Sequence, residues 1–218
     1  MINDIQGTSA KFNLDSYMEA RKIAQRISLL FASHIDVGMT EDDGQKIIED
    51  LFKMNGVEKT WHPTKVRFGK NTIKSFREKS EPGITLQDKD IYFLDIGPVI
   101  NGHEADIGMT YSIGQNPEYG HAQKTVREIF NEVRALWKEN ELTGEQLYSE
   151  AKRITDYKGY ILNMDMTGHR LGDFPHALFY KGKLSEFEKF PIENLWVLEI
   201  LIKHPEKEFG AFMEDILI

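Results

Sequence analysis

Residues 91–114 constrain the fold most strongly, because two carboxylates stand inside apolar runs. The segment reads IYFLDIGPVINGHEADIGMTYSIG and contains Asp95 and Asp106 among aliphatic and aromatic neighbours. The Gly, Pro and Asn residues between the two runs predict an antiparallel hairpin with a tight connection. An ionised carboxylate in a core is strongly destabilising unless it is paired, so both aspartates need a partner of opposite charge. A divalent cation would meet that need.

The C-terminal segment, residues 195–218, repeats this pattern. Two apolar runs flank a polar turn, and each run carries one acid, Glu199 in VLEI and Glu214 in FMEDILI. A single acid of this kind is usually an edge-strand residue that points to solvent. Four acids in four apolar strands instead indicate one shared cation-binding site.

The regions that precede each pair of strands have the apolar spacing of helices. Apolar residues recur at helical spacing over residues 14–37 and 41–56, and again over residues 117–140 and 143–157. The order helix, helix, strands therefore occurs twice, and no linker rich in Pro, Gly or Ser divides the chain. We expect an α+β fold in which residues 1–218 form a single domain.

The composition restricts the partners and the metal chemistry. The 218 residues carry a net charge of -8 with a pI near 5.4, which disfavours nucleic acid and membranes as partners. The sequence contains no cysteine, so a metal site has to use Asp, Glu and His. The N-terminus lacks the pattern of a secretion signal, and no apolar run approaches about 18 residues. We expect a cytoplasmic protein.

Histidines supply further candidate ligands and substrate contacts. His169 and His176 lie in residues 166–182, MTGHRLGDFPHALFYKG, where the glycines predict a loop-borne site. Four carboxylates with one imidazole suit Mn²⁺, Fe²⁺, Co²⁺ or Zn²⁺, and bridging carboxylates permit a two-metal centre that activates water. His62 lies in extended backbone before Pro63 and can face a pocket, although a surface or packing role is the commoner one.

The order of these residues resembles that of the pita-bread metallopeptidases, which comprise the methionine aminopeptidases, the aminopeptidases P and the prolidases. The motifs are LDIG, ADIGMT, TGHRLG, VLEI and FMEDILI, and the resemblance covers residues 14–218. It implies a curved antiparallel sheet with pseudo-twofold symmetry, covered by helices. The implied metal ligands, in chain order, are Asp95, Asp106, His169, Glu199 and Glu214.

The resemblance also implies a role for each ligand. Asp95 would chelate one metal ion, and His169 and Glu199 would hold the other. Asp106 and Glu214 would bridge both ions. The proton of the attacking water would pass to a nearby carboxylate, Glu199 or Glu214.

The pocket departs from the family pattern at several positions. Arg170 stands where a second Gly is common beside the ligand histidine, and Ala177 stands where Glu is usual after the next histidine. The family's substrate-loop histidine is absent from residues 76–78, and His62 is a candidate replacement. His103 can line the cleft, although solvation of the hairpin turn is the simpler role. We therefore take His62, His103 and Arg170 as candidate substrate-binding residues.

Together these features predict a dinuclear metal-dependent aminopeptidase or dipeptidase that cleaves N-terminal residues from short peptides, with His176 steadying the oxyanion. The close spacing of Glu199 and Glu214 is similar to that of the Xaa-Pro branch, so cleavage before proline is one option. Two manganese ions are the first choice of cofactor, ahead of cobalt, iron or zinc, and a homodimer is one option for the assembly. Two rivals stay open: a creatinase-like metal-free C–N hydrolase and a non-catalytic peptide-binding module of the same fold.

Overall fold

The computed structural model describes residues 5–218. Two pairs of α-helices lie within this range: α1 (Leu14–His34), α2 (Glu41–Met54), α3 (Pro117–Asn140) and α4 (Gly144–Tyr157). The helical regions predicted from periodicity are confirmed, except that α1 ends at His34 rather than Val37 and α2 ends at Met54, two residues before Gly56. Among the helices of residues 5–218, none combines the length and the apolar character that crossing a membrane requires.

Side-chain caps determine where all four of these helices begin, and at α1 the Asn13 side chain accepts from the Ser16 amide. The Thr40 hydroxyl accepts a hydrogen bond from the Asp43 amide, and the Asp43 carboxylate accepts one from the Thr40 amide. Thr143 and Gln146 form the same reciprocal pair at α4, and the Asn116 side chain caps α3. Each cap satisfies backbone donors that the first helical turn leaves unpaired. Local sequence therefore sets these helix starts.

The strands of residues 5–218 form two antiparallel sheets. They are β1 (Lys59–Thr60), β2 (Lys65–Phe68), β3 (Asp90–Ile96), β4 (Pro98–Ile100), β5 (His103–Glu104), β6 (Ile107–Ile113), β7 (Ile161–Leu162), β8 (His169–Arg170), β9 (Trp196–Lys203) and β10 (Gly210–Ile216). The main sheet has the order β2-β3-β6-β10-β9-β7, and β8 also pairs with β9. The smaller sheet has the order β1-β4-β5.

The connection between the two aspartate-bearing strands differs from the predicted tight turn. β3 and β6 pair as expected, but the chain between them folds into a small hairpin of β4 and β5, which joins β1. The apolar residues Pro98–Ile100 are buried in this arrangement, whereas a solvated turn would expose them. The sequence prediction was right about the strand pairing and wrong about the form of the connection.

The helices cover one face of the main sheet. In β3, Tyr92, Leu94 and Ile96 pack in a core with α1 and α2. In β9, Leu198 and Ile200 pack in a core with α3 and α4. Because successive side chains of a strand point to opposite faces, the alternate residues of both strands face away from the helices. Each half of the chain thus places two helices over its own strands, as the pseudo-twofold α+β prediction requires.

The seam between the two halves lies where β6 pairs with β10. Met109 lies opposite Met213 there. Next to this pair, the Thr110 hydroxyl donates to the Phe212 carbonyl oxygen at 2.8 Å and accepts from the Phe212 amide at 2.6 Å. A side chain thus replaces backbone groups in the ladder, so the seam depends on few residues.

The pairing register brings three acids into one row on the face of the main sheet that points away from the helices, which we call the open face. Asp95 in β3 and Glu214 in β10 both lie opposite Gly108 in β6, and Glu199 in β9 lies opposite Glu214. Directly paired residues point to the same face. A Cβ atom at Gly108 would lie 2.3 Å from Cε1 of Phe212 and 2.7 Å from Cβ of Glu214. Glycine therefore provides the space that the row needs.

Gly108→Ala should disturb this packing. The added methyl group would meet Phe212 and Glu214, and we expect the free energy of unfolding in urea to fall by about 1–3 kcal/mol. Gly120→Ala is the matched control, because Gly120 lies in α3 with open space at its Cβ position. Alanine favours a helix, so the control should be stabilised by about 0.5–1 kcal/mol. A Gly108→Ala variant as stable as the control would contradict the tight row.

Candidate metal centre

The open face of the main sheet brings all five predicted ligands together. Asp95, Glu214 and Glu199 form the row described above, and Asp106 precedes β6 by one residue. His169 lies in β8, opposite a residue two positions before Glu199. Side chains two residues apart on a strand share a face, so the pleat of the sheet directs these groups to one place. His169 was predicted in a loop and instead lies in a short strand.

These five side chains line one cavity of about 480 Å³. This volume lies within the range of small-molecule sites, which is about 300–1,000 Å³. The cavity wall also has an aromatic side, formed by Trp61, His62 and Phe76, and three cationic residues, Arg77, Lys181 and Lys183. The cavity therefore combines an acidic cluster with positively charged groups in the same wall.

His62 lies in this cavity and not on the surface. Its side chain is 8% exposed, and its Nε2 lies 3.2 Å from Oδ1 of Asp106 and 3.5 Å from Oδ1 of Asp95. The interpretation that favoured a surface or packing role was therefore wrong. The reason is tertiary: the Trp61 amide donates to the Gly97 carbonyl oxygen at 2.9 Å, which holds this segment against the end of β3.

Burial dominates the electrostatics of two of the carboxyl groups. Burial raises the pKa of Asp95 to about 7, although the charge of His62 opposes the rise. Burial also raises the pKa of Glu214 well above its ordinary value, and the charges of Asp106 and Glu199 add to the rise. A raised pKa favours the protonated form of each carboxyl group, and a bound cation can replace the proton.

Asp106 and two histidines form the charged centre of the cluster. Burial alone would raise the pKa of Asp106, but hydrogen bonds from His169 and His62 hold it below its ordinary value. Burial alone would lower the pKa of both imidazoles. Asp95 and Asp106 outweigh that effect and raise the pKa of His62 to about 9, and Asp106 similarly raises the pKa of His169 to about 9. Both rings therefore carry an extra proton at neutral pH in the cation-free protein.

The donor set fits divalent cations. Within residues 5–218, Oε2 of Glu214 is buried without a hydrogen-bond partner, which leaves a position for a positive charge. Two groups of ligand atoms, each lying within 4.8 Å of one another, share Asp106. One group contains His62 and Asp95, and the other contains His169 and Glu214. Carboxylates and imidazoles are donors for Mn²⁺, Fe²⁺, Co²⁺ and Zn²⁺, and the shared carboxylate can serve two ions.

His176 lies beside the cavity and pairs with an acid that sequence reasoning missed. Its Nδ1 lies 2.6 Å from Oε2 of Glu104, and its backbone amide donates to Oε1 of the same carboxylate at 3.1 Å. The His176 ring stacks on His169 at a centroid distance of 5.4 Å and meets the edge of Trp61 at 4.9 Å. Glu104 stands next to an apolar run, but no spacing signal points to a partner 72 residues away.

Arg170 and His103 do not line the cavity, which corrects their prediction as substrate contacts. Arg170 follows His169 in β8, so its side chain points to the opposite face, where it donates to carbonyl oxygens of the N-terminal segment and of Leu195. His103 is buried, and its Nε2 accepts from the Asn13 amide at the start of α1 at 2.9 Å. The interpretation that His103 solvates the turn was also wrong. Both side chains hold backbone segments in place.

Comparisons with known proteins agree with this geometry. The sequence profile described as metallopeptidase family M24 matches residues 15–218. The Xaa-Pro dipeptidase of Pyrococcus furiosus is 26% identical over 163 residues, which cover 73% of this chain and 45% of that protein. The chain spans about half the length of the curated relatives it matches.

Solved structures share the fold. The X-Pro aminopeptidase from Thermotoga maritima superposes with a TM-score of 0.78 at 21% identity, covering 94% of this chain and 59% of that chain. The methionine aminopeptidase from the same organism superposes with a TM-score of 0.75 at 13% identity, covering 97% of this chain and 93% of that chain. The predicted pita-bread fold is confirmed.

Cation binding should release protons. The ring of His169, whose pKa is raised to about 9, holds an extra proton at neutral pH that coordination has to displace, and the raised pKa of the Glu214 carboxyl group adds to this competition between protons and cations. We therefore expect the apparent affinity for Mn²⁺ to rise between pH 6.5 and 8.5 by roughly tenfold per pH unit for each proton released. Calorimetric titration in two buffers of different ionisation enthalpy measures the proton count.

The control for this titration is His34→Ala. The His34 ring is exposed on α1, and its Nδ1 lies within hydrogen-bond distance of Leu30 and Ser33 of the same helix, so the variant should keep the pH dependence. An affinity that does not change between pH 6.5 and 8.5 would contradict the displacement of protons from the cluster.

Proposed function

The chain belongs to metallopeptidase family M24, and from that premise we propose that it is a metal-dependent exopeptidase that removes the N-terminal residue from short peptides. The observation that carries this proposal is the convergence of Asp95, Asp106, His169, Glu199 and Glu214 on one cavity. We further propose a preference for substrates with proline after the scissile bond. The similarity to an Xaa-Pro dipeptidase supports that preference.

Two divalent cations are the proposed cofactors. Asp95 would hold one ion, His169 and Glu199 would hold the other, and Asp106 and Glu214 would each contribute to both. The Oε1 atom of Glu199 lies 3.8 Å from Nε2 of His169, so these two donors are near neighbours. When bound, such ions supply the Lewis acidity that activates water and polarises a carbonyl group.

Glu199 is the proposed acceptor of the proton from the attacking water. Its side chain is 13% exposed, whereas that of Glu214 is 2% exposed, so Glu199 is the acid that a substrate can approach. The Gly168 amide donates to Oε2 of Glu199 at 3.0 Å and fixes the direction of the carboxylate. A positioned carboxylate of this kind is suited to general base catalysis.

His176 is the proposed partner of the developing oxyanion. The Glu104 carboxylate accepts the Nδ1 proton of His176, which fixes the tilt of the ring. That leaves Nε2 as the ring nitrogen that can contact a substrate, and as an imidazolium it can donate to the oxyanion. Glu104 acts here as a positioning residue.

The cationic residues of the cavity support short peptides as substrates. Arg77, Lys181 and Lys183 line the same cavity as the acidic cluster. The C-terminal carboxylate of a dipeptide or tripeptide can approach these groups while its N-terminal residue lies at the carboxylates. The C-terminal carboxylate of a longer peptide would lie outside this cavity. The cationic residues therefore favour short peptides.

The two rival functions are less well supported. A creatinase-like metal-free hydrolase would not need five convergent ligands. A non-catalytic peptide-binding module would not need the Glu104–His176 pair beside the acidic cluster. The choice of manganese, the cytoplasmic location, the homodimer and the exclusion of nucleic acid and membrane partners stay predictions.

Glu199→Gln should lower kcat by about 10²- to 10⁴-fold in a Mn²⁺-loaded assay with an Xaa-Pro dipeptide, because the proton acceptor is lost. Metal content measured on the same samples separates this effect from loss of the ions. Glu206→Gln is the control, since Glu206 is exposed in the turn between β9 and β10.

Assays of the wild-type protein separate the rival functions. Metal-loaded protein that turns over none of the Xaa-Pro, Met-Ala and creatine substrates would favour the binding module. Creatine turnover after chelation of the metal would favour the creatinase type.

Lys183→Ala should raise KM for an Xaa-Pro dipeptide by up to about fivefold, which corresponds to loss of ~1 kcal/mol from a partly exposed ion pair. A substrate with an amidated C-terminus should show no such change, because it lacks the carboxylate. Lys79→Ala is the control, since Lys79 is exposed and lies outside the cavity wall. Equal effects of Lys183→Ala on both substrates would contradict carboxylate recognition.

A further inference from the structure

Asp106 lies between two imidazoles that contact its two oxygens in the same way. Oδ2 of Asp106 lies 2.9 Å from Nε2 of His169, and Oδ1 lies 3.2 Å from Nε2 of His62. His62 also lies 3.5 Å from Oδ1 of Asp95. One imidazole therefore stands at each side of the carboxylate that the two candidate ligand groups share.

The far nitrogens of both rings are also held alike. Nδ1 of His62 lies 2.9 Å from the Pro63 carbonyl oxygen, and Nδ1 of His169 lies 2.8 Å from the Arg170 carbonyl oxygen. An Nδ1–H donated to a carbonyl oxygen fixes the tautomer and leaves Nε2 as the nitrogen that can coordinate a cation. This is the usual support for a metal-binding histidine.

The backbone opposite His62 is shaped to admit its ring. A Cβ atom on Gly97 would lie 2.1 Å from Cδ2 and 2.3 Å from Nε2 of His62. Trp61 meets the edge of the His62 ring at a centroid distance of 4.3 Å, and its Nε1–H donates to the Ala105 carbonyl oxygen. The ring is therefore fixed on both sides with its Nε2 directed at Asp95 and Asp106.

We infer that His62 is a nitrogen ligand of the cation that Asp95 binds, so that each of the two ions receives one imidazole. This inference rests on the proposed two-cation function. Donor atoms that bind one ion at about 2.0–2.2 Å lie roughly 3 Å from one another, and the distances of 3.2 and 3.5 Å from His62 fit that separation. A ring that merely neutralised the acids would have to move away when the cation enters.

A nitrogen ligand at this position changes the metal preference. An ion held only by oxygen donors suits Mn²⁺, whereas an added imidazole favours Zn²⁺, Co²⁺ or Fe²⁺. With His62 as a ligand, the two sites have similar donor sets. Mn²⁺ would then be less favoured at the Asp95 site.

The test is an imidazole ¹⁵N NMR spectrum of the protein labelled with ¹⁵N-histidine, recorded before and after titration with Zn²⁺. We expect Nε2 of both His62 and His169 to change from a protonated to a coordinated nitrogen, while Nδ1 of each keeps its proton. The exposed His34 ring serves as an internal reference. His62→Phe assigns the signal, and a change confined to His169 would overturn the inference.

The second measurement is a calorimetric Zn²⁺ titration of His62→Phe. Phenylalanine keeps a ring against Trp61 but has no nitrogen, so one of the two affinities should weaken by more than the roughly 10- to 100-fold that follows loss of a residue supporting a metal ligand, while the other is preserved. His34→Ala should bind both ions as the wild type does. Two unaltered affinities in His62→Phe would overturn the inference.

Failure of the proposed function gives a different result. If the wild-type protein binds no divalent ion, both the two-cation function and the role of His62 are excluded. If the wild-type protein binds two ions and the His62 signals do not change, only the role of His62 is excluded. The wild-type spectrum also decides the question by number: two imidazoles whose Nε2 becomes coordinated support the inference, and a single one overturns it, even where His62→Phe folds poorly.

Discussion

The mutual repulsion of buried carboxylates is the constraint on which the rest of this structure depends. Asp95, Glu214 and Glu199 occupy one row across neighbouring strands, with Asp106 beside them. Such a row is unfavourable in itself, because each buried charge loses hydration and meets a like charge. The helices pack on the other face of the sheet and hold the strands in register, so the apolar core sustains an arrangement that the acids alone would not adopt.

Patterns that repeat along the sequence could be read directly. Helix periodicity predicted the helices, because it depends on interactions within a few residues. The acids in apolar strands stood out because burial of a lone carboxylate requires an explanation. Asp95 and Glu199 could therefore be assigned to one site before any strand pairing was known, and the family resemblance supplied their order.

Features that depend on pairing between distant segments could not be read in this way. The position of His62 follows from the hydrogen bond between its neighbour Trp61 and Gly97, and the partner of His176 is an acid far away in the chain. Arg170 was misassigned because one position along a strand reverses the face, which a predicted loop does not reveal. The small hairpin of β4 and β5 was missed because its burial depends on packing against α1, which is distant in the sequence.

The short seam between the two halves has a mechanical consequence. β6 and β10 are joined by few backbone groups, with the Thr110 side chain completing the ladder. The candidate ligands come from both sides of this seam, Asp95 and Asp106 from one half and Glu199 and Glu214 from the other. Ions held there would cross-link the two halves. Cation binding and the relative position of the halves would therefore be coupled.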